Sequence, residues 1–402
     1  MASPSPTTYL ALLDNVVDFA LRLAEAGDRF PVAPPPDVAP ELVAEVRQIL
    51  ERVREAQNNR ITVPWDNRSY DVAVGGHEGR TWGFEIALQE QFRPLGPISI
   101  NQPTLFEDVK RQALVYYLSD CISEDRQARI ADSIGVLAPT LRANGPKVIR
   151  NLPGAPRSQA AWRNAENLFL KSHQCDKFGR GNISGSPAWQ QQAKTGWTNS
   201  IHVSADLAPP PGRRGPSAGQ LGFQKFFAEN LETGLLVSTA LVLTHPEQYA
   251  LTRASLERLS TIDHISERLL EWSFSFNVVT VIANRQAPFH RDRSSGGSEW
   301  MEVLLTVGGD AETVLELPGI GARFQYRSGT MALFAGYTHL HGVSESCAER
   351  VCIASYARPS VQRLFRLHNP DPPTVARSLH HNIWRQYITD ILSWARQPEF
   401  ST

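Results

Sequence analysis

FSFNVVTVIA (274–283), EWMEVLLTVGG (299–309), ETVLELP (312–318), ARFQYRSGTMALFAG (322–336) and RVCIASYARP (350–359) are five short β-rich runs separated by Gly, Pro and Ser signals. Strands at this spacing predict an antiparallel sandwich or jelly roll. Outside this block the texture is mostly helical. Residues 9–26 and 40–57 carry apolar side chains at helical spacing around the Pro-rich break PVAPPPDVAP (31–40), and VARSLHHNIWRQYITDILSWARQ (375–397) predicts a helix packed outside the roll. YDVAVGG (70–76) and TWGFEIAL (81–88) predict strands, whereas TLFEDVKRQALVYYLSDCI (104–122) predicts a return to helix. No internal repeat is visible.

The fold class is therefore α+β, a jelly-roll core with N-terminal and C-terminal helices packed around it. The expected divisions are an N-terminal helical and α+β region (1–140), a loop-rich, partly basic segment (141–220), the β-core (221–375) and a C-terminal helix (376–402). A chain of 402 residues suffices for one core with a helical jacket. Apolar residues at 42% and charged residues at 20% exclude a mainly disordered or coiled-coil protein.

Forty basic against forty-one acidic residues leave a net charge of -1, so a polyanion would have to be met by a local patch. Arg142, Lys147, Arg150, Arg157 and Arg163 fall in one stretch without an acidic residue, which reads equally as a solvated face or a phosphate-contacting patch. Cys121, Cys175, Cys347 and Cys352 form no C-x-x-C pair and Met1 precedes small polar residues, predicting a reduced, intracellular protein without structural zinc. No uncharged run approaches the roughly 18 to 20 residues of a membrane span, so no membrane partner is expected.

Chemistry concentrates in APFHRDRSSGGSEW (287–300). In an extended segment residues i and i+2 share a face, so His290 and Asp292 aim an imidazole and a carboxylate at one point, while Arg291 points away. His341, about 50 residues on, ends a β-run in THLHGVSE. Two histidines and a carboxylate make the facial triad of non-haem Fe(II) oxygenases, which leaves positions open for co-substrate and dioxygen. Arg350 then begins a β-run, where its ionised guanidinium suits bidentate capture of a carboxylate such as the far end of a 2-oxo acid.

The span from FNVVTVIANRQAPFHRD to ERVCIASYARPSV, roughly residues 270 to 362, resembles the double-stranded β-helix of Fe(II)/2-oxoglutarate dioxygenases. Within them it is most similar to the TET/JBP-like nucleic-acid oxygenases abundant in mushroom-forming fungi. The resemblance implies that His290, Asp292 and His341 hold Fe(II), and that Arg350 pairs with 2-oxoglutarate, the co-substrate used with O2. It also implies that Arg285 and Asn277 help hold 2-oxoglutarate, although Arg285 reads equally as a surface or phosphate-binding arginine. Ser295, Tyr356 and Arg358 match positions lining the pocket for a flipped base, with SSGG (294–297) as a flexible lip. His339 is taken as a neighbour of the ligands, because HGV is the part that matches. Cys352 stands where a hydroxyl is expected.

The implied activity is oxidation of the methyl group of 5-methylcytosine in DNA to hydroxymethyl-, formyl- and carboxylcytosine, with methyladenine demethylation as an addition. A 2-oxoglutarate oxygenase acting on a small molecule or protein side chain, and a catalytically idle module that binds modified DNA, remain alternatives. The expected partner is duplex DNA carrying methylated bases, with the protein a nuclear monomer. Four scattered cysteines cannot supply the zinc-bound extension of animal relatives, so DNA contacts are expected from Lys147, Arg150, Arg157, Lys177, Arg180 and Lys194, interleaved with Phe178, Trp189 and Trp197.

Overall fold

The structure is a computed structural model that describes residues 7–27, 30–75, 82–141, 163, 165–190, 201–208, 215–292 and 295–397. Two sheets lie face to face. The large one runs in the order β1 (Arg60–Thr62), β3 (Thr104–Glu107), β4 (Ala113–Leu118), β13 (Thr330–Phe334), β10 (Glu302–Gly308), β15 (Arg350–Tyr356), β8 (Val278–Ala283), β5 (Gly181–Gly185). The small one runs β2 (Ile98–Ile100), β12 (Ala322–Gln325), β11 (Val314–Leu317), β14 (His341–Val343), β9 (Ala287–His290), and β6 (Trp189–Gln190) pairs separately with β7 (Ile201–His202). Only the β1–β3 and β2–β12 pairs among these strands are parallel.

Strand alternation splits the core in two. Val303, Leu305 and Val307 of β10, with Val351 and Ile353 of β15, pack into a cluster shared with the helices. Leu304, Cys352 and Ala354 point the other way and meet Leu315, Leu317, Ala322 and Phe324 of the small sheet. A strand covered on both faces is apolar almost throughout, which is why these runs read so clearly in the sequence.

The helical layer holds α1 (Thr7–Ala26), α2 (Pro40–Asn58), α5 (Glu124–Ile134), α6 (Ala218–Glu229), α7 (Leu231–Thr244) and α8 (Pro246–Leu259). α7 is buried along nearly its whole length, with α1, α2 and α8 against it. Arg253 of α8, 1% exposed, forks onto Asp14 of α1 at 2.9 and 3.0 Å. Short helices α9 (Asp263–Leu269), α10 (Pro359–Leu364) and α11 (Val375–Ser378) follow, and α12 (His381–Ala395) closes the described chain. α12 packs on α1 and α8, one layer removed from the strands rather than directly upon them. No single described helix is long and apolar enough to cross a membrane.

Three local readings change. The described residues of YDVAVGG (70–75) and TWGFEIAL (82–88) belong to α3 (Asn67–Gly75) and α4 (Trp82–Gln91), not to strands. Asp66 starts α3 by accepting from the Ser69 hydroxyl at 2.7 Å and the Ser69 N–H at 3.3 Å, a helix-start signal that the short apolar alternation obscured. The stretch 104–122 contains the hairpin β3–β4, whose two strands are fully buried, and not a helix. Its turn is set by Asp108, which accepts from the N–H groups of Lys110 and Gln112, each at 2.8 Å, with Arg111 at φ 67°. The first region and the loop-rich segment thus contribute β1–β4 and β5 to the same two sheets as the β-core.

The helical layer also carries an acid sensitivity. His245, between α7 and α8, is 2% exposed and its Nε2 lies 2.8 Å from the Glu299 carbonyl, just before β10. Burial lowers its pKa from 6.5 to about 4. The unfolded chain therefore takes up this proton first, so the stability contribution is complete above about pH 6.5 and is lost as pH falls towards 4. We expect this residue alone to account for about 3 kcal/mol of lost unfolding free energy over that window. Urea titrations of native protein and His245→Gln, which keeps an N–H donor for Glu299, check it: the variant should show a shallower pH slope, and equal slopes would refute the assignment.

Candidate metal centre and co-substrate pocket

β9 and β14 are antiparallel neighbours in a register that places His341 opposite His290, with ring centroids 4.2 Å apart. Each ring is steered by the carbonyl two residues back: His290 Nδ1 lies 2.8 Å from Pro288 O, and His341 Nδ1 lies 3.0 Å from His339 O. A carbonyl can only accept, so Nδ1 carries the proton and Nε2 is left with its lone pair facing the centre. Burial, then the neighbouring His341, lowers the His290 pKa to about 3, which keeps that ring neutral at pH 7.

Asp292 follows β9, with its N–H held by Gly336 O at 2.8 Å. Its Oδ2 stands 3.6 Å from His341 Nε2 and 3.9 Å from His290 Nε2. Burial works to raise its pKa, but the adjacent His341 and His290 rings and the charge of Arg163 outweigh it and hold the carboxyl low. Neighbouring ligands each about 2.1 Å from an octahedral ion would be about 3 Å apart, so the three groups need only a slight contraction to share one metal. Among the described residues these three form the single cluster able to do so.

The other carboxylate oxygen is already engaged. Arg163 Nη2 lies 2.6 Å from Asp292 Oδ1, and its carbonyl accepts from Arg285 Nη1 at 3.1 Å and Asn182 Nδ2 at 3.3 Å. Sequence reading had placed Arg163 only in a basic stretch. Its grip leaves Oδ2 to face the histidine pair.

Arg350 opens β15 on the inner face of the large sheet and is 4% exposed. Nη2 donates to Arg285 O at 2.8 Å and the guanidinium lies 5.4 Å from the Tyr326 ring centroid, yet Nη1 is buried with no hydrogen-bond partner. No carboxylate pairs with Arg350 among the described residues, so a buried charge awaits an anion. This orphaned donor and the donor set of the triad fit iron(II) and a 2-oxo diacid. Cys352 Sγ, in place of a hydroxyl, lies 3.6 Å from Tyr326 Oη, which brings a hydroxyl to the same neighbourhood.

The remaining predicted residues fall as follows. Arg285 is buried beside Arg350, and burial, then Arg163, lowers its pKa to about 10. The Asn277 amide serves backbone groups, donating to Ala188 O at 3.2 Å and accepting from the Arg358 N–H at 2.8 Å. Tyr356 lies on the Arg350 face of β15, six residues along, and Arg358 stacks 3.6 Å from the Trp189 ring centroid. Ser295 donates to Asp292 O at 2.8 Å. Lys177 pairs with Asp132 at 2.9 Å and Arg180 with Glu166 at 3.7 Å. Lys147, Arg150, Arg157, Lys194 and Trp197 lie outside the described residues.

His339 is fully buried against Tyr70, with neither ring nitrogen bonded, and is not a member of the cluster. Arg291 does turn from the metal, into a buried pair with Glu85 of α4 at 2.6 Å. Glu302, the first residue of β10, escaped the sequence reading altogether. It is buried, and burial together with Asp292 pushes its pKa up to about 8. A carboxylate beginning an otherwise apolar run, EVLLTVG, was the available signal.

Residues 219–359 match the family model Tet_JBP, the oxygenase domain of the 2OGFeDO superfamily. No curated protein matches the chain. A solved structure described as NgTET1 in complex with 5mC DNA aligns at 10% identity and a TM-score of 0.44, over 80% of this chain and 92% of that one. The matched segment contains β8 to β15, the triad and Arg350, and this supports an Fe(II)- and 2-oxoglutarate-dependent dioxygenase similar to the Tet_JBP oxygenases.

Proposed function

We propose that the protein oxidises the methyl group of 5-methylcytosine in duplex DNA, through hydroxymethyl- to formyl- and carboxylcytosine, with methyladenine as an additional substrate. The two sheets are read as a double-stranded β-helix, and nuclear residence and action as a monomer are part of the proposal. One observation carries it: the inner face of β15 presents Arg350, Cys352, Ala354 and Tyr356 in order, an anion-seeking end and an aromatic end on the face turned towards the small sheet, whose strands β9 and β14 carry the two histidines. The Tet_JBP match over the same strands supports a nucleic-acid substrate.

Iron(II) and 2-oxoglutarate, when bound, supply oxygen insertion into a C–H bond with succinate and carbon dioxide as co-products. The protein supplies placement. His290, Asp292 and His341 would hold the ion, and a three-donor set of this kind leaves room for co-substrate and dioxygen. Arg350 orients the co-substrate by its far carboxylate, and Arg163 fixes the carboxylate of Asp292. A base turned out of the duplex offers a flat face and a polar edge, which Tyr356 and the Arg358–Trp189 stack suit by shape and charge.

The test is direct. Iron(II)-loaded protein, 2-oxoglutarate and duplex DNA carrying 5-methylcytosine should give 5-hydroxymethylcytosine by mass spectrometry of the nucleosides. Succinate formed at a rate indifferent to DNA, with no oxidised base, would refute the DNA reading and leave the oxygenase reading standing.

A further inference from the structure

We propose that Glu302 reads the polar edge of the substrate base, its Oε1 accepting a hydrogen bond from an exocyclic amino group and so selecting methylated cytosine or adenine over thymine. This rests on the reading of the substrate as a base and adds the group that recognises it. Glu302 shares the inner face of β10 with Leu304, which lies in the cluster between the sheets. The register pairing Val303 with Ser355 brings Tyr356 alongside it. Arg350 lies six residues from Tyr356 on the same face of β15, a span of about 20 Å. Gly336 links the two sites, its carbonyl holding the Asp292 N–H and its Cα lying against the Glu302 carboxyl. With the co-substrate's far carboxylate at Arg350, the Glu302 end is left to the substrate.

The local packing points the same way. Glu302 is 3% exposed, and its Oε1 has no hydrogen-bond partner among the described residues. A carboxyl buried for structural reasons would be satisfied by neighbours, because an orphaned buried acceptor is costly. Gly336, whose carbonyl holds the Asp292 N–H, makes room: a Cβ there would lie 2.8 Å from Oε1. Ser295 lies beside the same carboxyl. Oε1 is thus held at the foot of the loop that carries the metal ligand, with no donor to it among the described residues. Cytosine and adenine bring an amino group to such an acceptor, whereas thymine, with the same 5-methyl group as methylcytosine, brings a carbonyl oxygen.

The experiment compares oxidation of 5-methylcytosine and of thymine in otherwise identical duplexes by native protein, Glu302→Gln and Glu302→Ala. Native protein should prefer 5-methylcytosine. Glu302→Gln, whose amide carries a donor for a carbonyl at every pH, should shift the ratio towards thymine by about 10-fold or more at a pH above 8, where the native carboxyl only accepts. Glu302→Ala should lose 5-methylcytosine turnover without gaining thymine. Iron content and 2-oxoglutarate affinity, measured by calorimetry with iron(II) in the absence of oxygen, should match native protein in both variants. An unchanged base ratio in a Glu302→Gln protein that binds iron normally would overturn the role of Glu302 and spare the substrate reading. Failure of native protein to oxidise either base would overturn both. Loss of iron in both variants would assign Glu302 to support of the metal loop and overturn its reading of the base.

Discussion

Replacing His290 with alanine should yield a folded protein that binds iron(II) at least about 100-fold more weakly and oxidises no substrate. Changes to groups that merely orient a ligand cost 10–100-fold in metal affinity, and loss of the ligand itself exceeds that. The fold survives because the lost Nδ1 contact is to Pro288 O in the same strand, worth about 1 kcal/mol. Iron content after anaerobic loading, read beside a thermal melt, measures both halves. Normal iron content and turnover in the variant would remove His290 from the centre.

The second large effect is at Arg350. Arg350→Ala should weaken 2-oxoglutarate binding by a factor of about 30 or more, since truncating one partner of a buried, hydrogen-bonded charge pair costs roughly 2–5 kcal/mol. The buried Nη1 without a partner is the atom on which this turns. Arg350→Lys retains the charge without the planar fork and should fall between the two. Calorimetric titration of 2-oxoglutarate into iron(II)-loaded protein without oxygen gives the affinity, and succinate formed against co-substrate concentration gives the functional counterpart. Equal affinities in native and alanine forms would take Arg350 out of the pocket.

The strands of the β-core were legible because double-sided burial writes mostly apolar runs, as in EVLLTVG and RVCIASY. The triad was legible for another reason: the H-x-D spacing of His290 and Asp292, with His341 beyond the next β-runs, is a donor pattern with a known metal chemistry. The hairpin β3–β4 was misread because ALVYYL fits either a buried strand or a helix segment, and only Asp108 at the turn decides between them. Arg163 and Glu302 were hidden more deeply. Arg163 reaches Asp292 across 129 residues, a closure that no local pattern encodes, and Glu302, one loop beyond Asp292, stands out only as the polar start of an apolar strand.

The two carbonyl-steered histidines bear on which metal the protein carries. With both Nε2 atoms and Asp292 Oδ2 poised before any ion arrives, loading requires little rearrangement. Two imidazoles and one carboxylate contain no soft ligand and nothing that favours iron(II) over its neighbours, and cobalt, nickel, copper and zinc all outrank it in intrinsic affinity for nitrogen and oxygen sites. Metal identity is therefore decided by supply at the moment of loading rather than by the pocket. Protein prepared in air from zinc-rich medium should be well folded, metal-filled and inert, and should recover activity once stripped with a chelator and reloaded with iron(II) under reducing conditions.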